Sequence, residues 1–189
     1  MKPNIGILAL QGDFKEHRDM LEGMANSVYV RNKEDFKNID GLIIPGGEST
    51  TMMKLINRYN LAENIRELYD KDIPIFGTCA GAIILADNVV GNNPKTLDLI
   101  EMKIERNAYG RQLYSFEDDV LIKGGLGIGD FPAVFIRAPK IISTGHGVYE
   151  LAHYKNDPVM VFQNNVLATT FHPELSGDPA IHAYFLSLT

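Results

Sequence analysis

The sequence predicts an α/β fold of three layers, with helices on both faces of a doubly wound, mostly parallel sheet. Apolar runs that do not alternate with polar residues, such as Ile5 to Leu10 and Leu42 to Ile44, suit strands covered on both faces. Segments with helical spacing separate these runs in the order β-α-β-α-β, which implies right-handed crossovers. Glycine-rich turns at Gln11-Gly12, Pro45-Gly46-Gly47 and Gly77 to Gly81 close three of the runs. Ligands of doubly wound sheets bind beyond the carboxyl ends of the strands, where these turns fall.

Ile5 to Leu10 reads as the first strand. Phe14 to Ala25 follows as a helix with Phe14, Met20, Leu21 and Met24 facing inward, capped by Asp13, with Glu16 placed for a capping box. Ser27 to Val30 and Asp40 to Ile44 are strands, the latter stopped by Pro45. Thr50 to Tyr59 and Leu61 to Lys71 are helical. Ile73 to Phe76 is a strand with Pro74 near its start, where a missing donor is tolerated. Ala82 to Asp87 continues the turn as helix. Val89 to Leu97 reads as a polar loop. Strands follow at Leu99 to Glu105, Asp118 to Ile122, Ala133 to Ile136, Lys140 to Thr144, Leu151 to Tyr154, Pro158 to Gln163 and Val166 to Thr170. The last two form a hairpin around Asn164-Asn165. Asp178 to Leu188 closes the chain as a helix presenting Ala180, Ile181, Tyr184, Phe185 and Leu188. Gly124 to Gly129 lacks the order of a dinucleotide fingerprint and reads as a flexible connection. With no repeat, low-complexity stretch or boundary, residues 1–189 are expected to form a single domain.

A chain of 189 residues, 45% hydrophobic and 22% charged, can build a full core without a disulfide or metal staple. A net charge of -6 argues against a nucleic-acid surface. One cysteine excludes an intrachain disulfide and points to a reducing, cytoplasmic setting. The first apolar run is too short for a signal peptide, and no uncharged stretch approaches the ~20 residues of a membrane span. No paired His or Cys spacing suggests a metal site.

Cys79 is the sharpest chemical feature. It stands in Gly77-Thr78-Cys79-Ala80-Gly81 between a strand and a helix, the nucleophile-elbow pattern with Cys in place of Ser. The turn lifts the sulfur to a helix N-terminus, where N–H groups favour thiolate. A lone Cys elsewhere is a small buried hydrophobe. A cysteine nucleophile needs a base. His17 reads as solvated, His182 as a surface or packing residue and His153 as an ordinary strand residue, while His146, in a Gly-His-Gly turn, stays open. His172 follows a strand end, Pro173 fixes its backbone, and Glu174 can accept a hydrogen bond from its imidazole. Gly46 and Gly47 leave backbone N–H groups free to face a developing oxyanion, with Ser49 or Thr50 as the cap of the next helix. The order is not that of a Walker A loop. Arg106 and Arg137 can each hold a carboxylate or form a surface ion pair.

Together these motifs resemble the class I (triad) glutamine amidotransferases, whose fold is flavodoxin-like. Ala9-Leu10-Gln11-Gly12, Pro45 to Thr51, Arg106-Asn107-Ala108-Tyr109-Gly110-Arg111-Gln112, Phe135 to Pro139 and Phe171 to Leu175 are similar to the glutaminase subunits of pyridoxal 5′-phosphate synthase over essentially the whole chain. The resemblance implies hydrolysis of L-glutamine, with Cys79 as nucleophile, His172 as base and acid, and Glu174 as its orienting carboxylate. It implies an oxyanion hole from Gly46, Gly47 and Ala80. Substrate contacts would come from Gly47, Glu48, Ser49, Arg106, Ile136 and Arg137, with Gln11 at the interface-facing mouth. The implied partner is a (β/α)8-barrel synthase subunit, in an assembly of twelve and twelve, that receives ammonia and orders the oxyanion loop. No cofactor is implied for this chain. The elbow by itself also fits another cysteine hydrolase of the same fold, such as a γ-glutamyl peptidase or a glyoxalase/chaperone-type protein, or a non-catalytic scaffold.

Overall fold

The structure is a computed structural model in which residues 1–91, 95–106, 115–123 and 126–189 are described. The chain runs through β1 (Asn4–Leu8), α1 (Phe14–Met20), β2 (Asn26–Val30), β3 (Gly41–Ile44), α2 (Ser49–Arg58), α3 (Ala62–Asp70), β4 (Ile75–Thr78) and α4 (Ala80–Leu85). It continues through β5 (Ala86–Val89), β6 (Ile100–Glu105), β7 (Ser115–Ile122), β8 (Gly129–Ile136), β9 (Lys140–Thr144), β10 (Tyr149–Tyr154), β11 (Asp157–Gln163), β12 (Val166–Thr169) and α5 (Ala180–Leu186). Short 3-10 turns cover Lys33–Phe36 and Pro173–Leu175.

One sheet has the order β2-β1-β3-β4-β12-β11-β10-β7-β8. Its first five strands are parallel, the doubly wound arrangement expected. Antiparallel neighbours extend it beyond β12, so β11 and β7 run against the other strands. Side chains alternate between two cores: Leu42, Ile44 and Ile75 enter one, while Ile5, Ile7, Ile43 and Phe76 enter the other. Helices α2, α3 and α4 cover the first core, and α1 and α5 the second. Burial on both faces is why these strands read as unbroken apolar runs. A second sheet, β5-β6-β9, packs on the first core through Ile100, Met102, Ile104 and Ile141. Among the described residues no helix is long and apolar enough to cross a membrane.

Several elements depart from the sequence reading. Helix α1 stops at Met20 rather than Ala25, and the following turn passes through Gly23 at φ 81°, a backbone setting that ends a helix. Asp13 makes no capping bond from its side chain. Helix α4 starts at Ala80 and ends at Leu85, because Ala86–Val89 leaves it to pair with β6. β7 begins at Ser115; Glu117, Asp118 and Asp119 are exposed, so half of it carries no apolar signature. Of the Gly124 to Gly129 stretch, Gly124 and Gly125 lie outside the described residues, and the remainder leads into β8, the antiparallel partner of β7.

Candidate active site

Strand register gathers the site. Ile44 pairs with Gly77, and Thr78 with Thr169, so the carboxyl ends of β3, β4 and β12 align at one edge of the sheet. The residues that follow them, Pro45 to Gly47, Cys79, and Thr170 to His172, emerge side by side. Cys79 donates its N–H to the Thr169 carbonyl at 2.8 Å and takes φ 47°, ψ -99°. A non-glycine residue in such a conformation stores about 1–3 kcal/mol of strain. Helix α4 can leave the elbow so sharply because Gly81 packs on β3: a Cβ there would lie 2.1 Å from the Ile44 carbonyl oxygen. Cys79 is 6% exposed, with Sγ 3.8 Å from the Ile136 carbonyl oxygen.

His172 comes to the elbow from β12. Its own N–H donates to the Val134 carbonyl at 2.8 Å. Its Nδ1 lies 2.8 Å from Glu174 Oε1 and 3.4 Å from Asp13 Oδ2. Nε2 has no formed hydrogen bond, leaving that nitrogen for the neighbouring thiol. Such a contact can align only when substrate arrives. Burial disfavours a charged imidazole, yet the nearby Asp13, Cys79 and Glu174 outweigh it and push His172 up to about 12. Glu174 is almost wholly buried, and burial raises its pKa against the lowering pull of His172.

The loop after β3 closes the other side. Gly46 lies against the imidazole, where a Cβ would sit 2.4 Å from His172 Cε1. Gly47 is exposed, and Ala80, as the first residue of α4, has an N–H with no intrahelical acceptor. The Gln11 side chain accepts the Glu48 N–H at 2.8 Å and so ties the β1 turn to this loop. Glu48 caps α2, accepting from Thr50 N at 3.0 Å and Thr51 N at 2.7 Å; the cap, expected at Ser49 or Thr50, therefore falls one or two residues earlier. Ser49 is buried beside it. Arg106 reaches back to the same helix start, donating to Thr50 Oγ1 at 2.9 Å. Residues 107–114, which carry most of the Arg106 to Gln112 motif, lie outside the described residues. Ile136 ends β8 beside the thiol, and Arg137 follows it exposed, at φ 45°.

Of the other histidines, His17 departs from its sequence reading. His146 is exposed in its turn, and His153 bonds Glu150 at 2.8 Å. His17 and His182, read as solvated and as surface or packing residues, are both fully buried.

A family profile, the SNO glutamine amidotransferase family, matches residues 7–189. The chain belongs to this family. It is 48% identical over 185 residues to the pyridoxal 5′-phosphate synthase subunit PdxT of Thermosipho africanus, covering 97% of each chain. It is 50% identical over 183 residues to the PdxT of Pelotomaculum thermopropionicum, covering 96% of this chain and 93% of the relative. A crystal structure of a glutamine amidotransferase superposes with a TM-score of 0.90 at 46% identity, over 97% of both chains. The structure of PurLQS from Thermotoga maritima, with a TM-score of 0.72 at 16% identity over 99% of both chains, shares the fold.

In this glutamine amidotransferase the His172 nitrogen and the Asp13 and Glu174 carboxylates lie within 4.8 Å of one another, close enough to ligate a cation. The nitrogen concerned is Nδ1, which already pairs with Glu174, so a cation there would compete with the bond that orients the imidazole. Asp13 is legible in the sequence only as a helix cap. Thr78 is legible only as part of the elbow, yet its hydroxyl lies 3.4 Å from Glu174 Oε1.

Glu48 gives a stability prediction. Its bond to the Thr51 hydroxyl, with those to the Thr51 and Thr50 amides, outweighs desolvation and holds the carboxyl down to about 2. A depressed carboxyl stabilises the fold above its ordinary value of 4.5 and loses that contribution as pH falls toward 2. Solvent screens this exposed group, so Glu48→Ala is expected to cost about 1 kcal/mol and to lower Tm by about 2–4 °C near pH 7. Thermal melts should show the gap to the parent closing as pH falls through that window.

Proposed function

We propose that this chain hydrolyses L-glutamine to L-glutamate and ammonia at Cys79 and supplies the ammonia to a pyridoxal 5′-phosphate synthase partner. The observation that carries the reading is the line from the Cys79 elbow through His172 to Glu174, with the last pair 2.8 Å apart. Sulfur attacks the side-chain amide carbon of glutamine, and a C–S bond forms. The N–H groups of Gly46, Gly47 and Ala80 take up the negative charge on oxygen. Collapse breaks the C–N bond, and protonated His172 gives its proton to the leaving nitrogen, releasing ammonia. Water then attacks the γ-glutamyl thioester and passes a proton back to His172. The C–S bond breaks, glutamate leaves and the sulfur anion returns. Glu174 holds His172 in the tautomer that presents Nε2 to these steps.

Gly47, Glu48, Ser49, Arg106, Ile136 and Arg137 hold the amino-acid end of glutamine in this reading. Glu48 serves through its backbone, since its carboxylate is engaged by α2. The tie from Gln11 to Glu48 N–H supports a role for Gln11 in setting the loop at the mouth. The chain works as a single glutaminase domain, and its partner is a (β/α)8 barrel in an assembly of twelve and twelve. The motif resemblance supports that finer reading of the partner.

The test is a glutamate-release assay on the chain with and without the synthase subunit. Release that rises when the synthase is added, with ammonia incorporated into pyridoxal phosphate, is the expected result. Efficient hydrolysis of a γ-glutamyl peptide without any partner would replace this reading by that of a peptidase.

A further inference from the structure

Behind Glu174 the structure holds a buried chain of polar side chains that the proposed chemistry leaves unused. Strand β4 places Phe76 and Thr78 on the same face, toward α1 and α5. Phe14, His17 and Leu21 share one side of α1 and its following turn, which aims His17 at that face. Helix α5 brings His182 beside it. His182 Nε2 lies 2.9 Å from His17 Nδ1, and His17 Nε2 lies 3.1 Å from Thr78 Oγ1 and 3.5 Å from Glu174 Oε2. Both imidazoles are fully buried and sit edge-on to Phe76, with centroids 6.3 and 5.9 Å from its ring.

The single unsatisfied nitrogen of the pair assigns its protons. His182 Nδ1 is buried with no partner. An orphaned N–H costs more than an orphaned lone pair, so the His182 proton belongs on Nε2, where it donates to His17 Nδ1. His17 Nδ1 is then an acceptor, and its own proton belongs on Nε2, facing Thr78 and Glu174. The Thr78 hydroxyl is left to donate to Glu174 Oε1. Both rings are neutral: burial, with His182 and His172 nearby, lowers His17 well below its usual value, and burial lowers His182 to about 4.

We propose that His17 and His182 are positioning residues, a neutral donor chain running through Thr78 that fixes Glu174 as an ionised acceptor for His172. The need is physical, because burial pushes Glu174 toward its protonated form and a protonated carboxyl orients His172 wrongly. The titratable groups facing the pair are Glu174 from the 173–175 turn and His172 beyond it; Asp13, just before α1, stands beside both, its carboxylate within 4.8 Å of the His172 and Glu174 ligand atoms and raising Glu174 further, and Cys79 adjoins His172. β4 faces it with the uncharged Phe76 and Thr78.

This inference rests on the glutaminase reading, and its test separates the two. His17→Phe keeps the shape and removes both nitrogens, while His17→Gln keeps a donor near the Nε2 position. In the complex with synthase, His17→Phe should lower kcat about tenfold or more, leave KM within about twofold because His17 touches no substrate, and move the acid limb of the kcat profile to higher pH. His17→Gln should recover most of the loss. His182→Phe should give a smaller fall, because it removes the donor to His17 Nδ1 but leaves the His17 Nε2 proton facing Thr78 and Glu174. Nitrogen-15 NMR of the parent chain should show both histidines protonated on Nε2 across neutral pH, which decides the matter even if the Phe variants do not fold. Parent-like kcat and pH profile in folded His17→Phe, or a proton on His17 Nδ1 in the parent, would overturn the proposal. A parent complex with no glutamine hydrolysis would instead remove the glutaminase reading and leave the tautomers as found.

Discussion

Cys79→Ala is expected to fold, to bind the synthase and to release glutamate at least about 10⁴-fold more slowly, because the covalent route is closed. The elbow adds a second expectation. Cys79 holds φ 47°, ψ -99°, a conformation that glycine adopts freely and alanine does not. Cys79→Gly should therefore be as inactive as Cys79→Ala but more stable than it by about 1–2 kcal/mol, at about 2–4 °C in Tm per kcal/mol for a chain of this size. Glutamate release and thermal melts on the two variants check both halves. Retained activity in Cys79→Ala would remove the nucleophile. A glycine variant that melts no higher than the alanine variant would show that the turn stores no strain at this residue.

Glu174→Gln is expected to lower kcat by about 10²–10⁴-fold. The amide still offers an oxygen to His172 Nδ1 but no charge. Asp13, 3.4 Å from the same nitrogen, remains as the one carboxylate there. Adding Asp13→Asn should then cut activity further than it does in the parent, a coupling expected of two groups sharing one partner. The pH dependence follows from His172. Burial works against its charge, but the nearby Asp13, Cys79 and Glu174 raise it to about 12, well above its ordinary 6.5. The stabilisation of the imidazolium is thus complete below 6.5 and is lost as pH rises toward 12. Removing the Glu174 charge takes away one raising interaction and should bring that loss to lower pH. A kcat/KM profile taken well into the alkaline range would show the limb moving down. An unmoved limb would mean that Glu174 does not act on His172.

The difference between legible and hidden features follows sequence distance. Gly77-Thr78-Cys79-Ala80-Gly81 declares the elbow because the glycines that let the chain turn are two residues from the sulfur. His172 and Glu174 are two residues apart, so their 2.8 Å bond is a local property of one turn. Edges are less legible. β5 reads as the end of a helix because its reason for being a strand is β6, more than ten residues away. The exposed half of β7 has no apolar pattern to read.

His17 and His182 mark the limit most plainly. His17 lies among charged neighbours and His182 beside Ile181, yet both are buried together because α1 and α5 meet over the same face of β4, joining residues 165 positions apart. The same holds for Asp13, which sits where a helix cap belongs but turns toward His172, and for Gln11, whose partner is the Glu48 amide on another loop. Backbone sterics and short-range spacing act between neighbours along the chain, so the order of residues already specifies the doubly wound sheet, the strained turn at Cys79 and the His172–Glu174 pair. Which polar groups stand behind and beside them is settled by packing, because burial and charge coupling depend on which helix faces meet across the sheet.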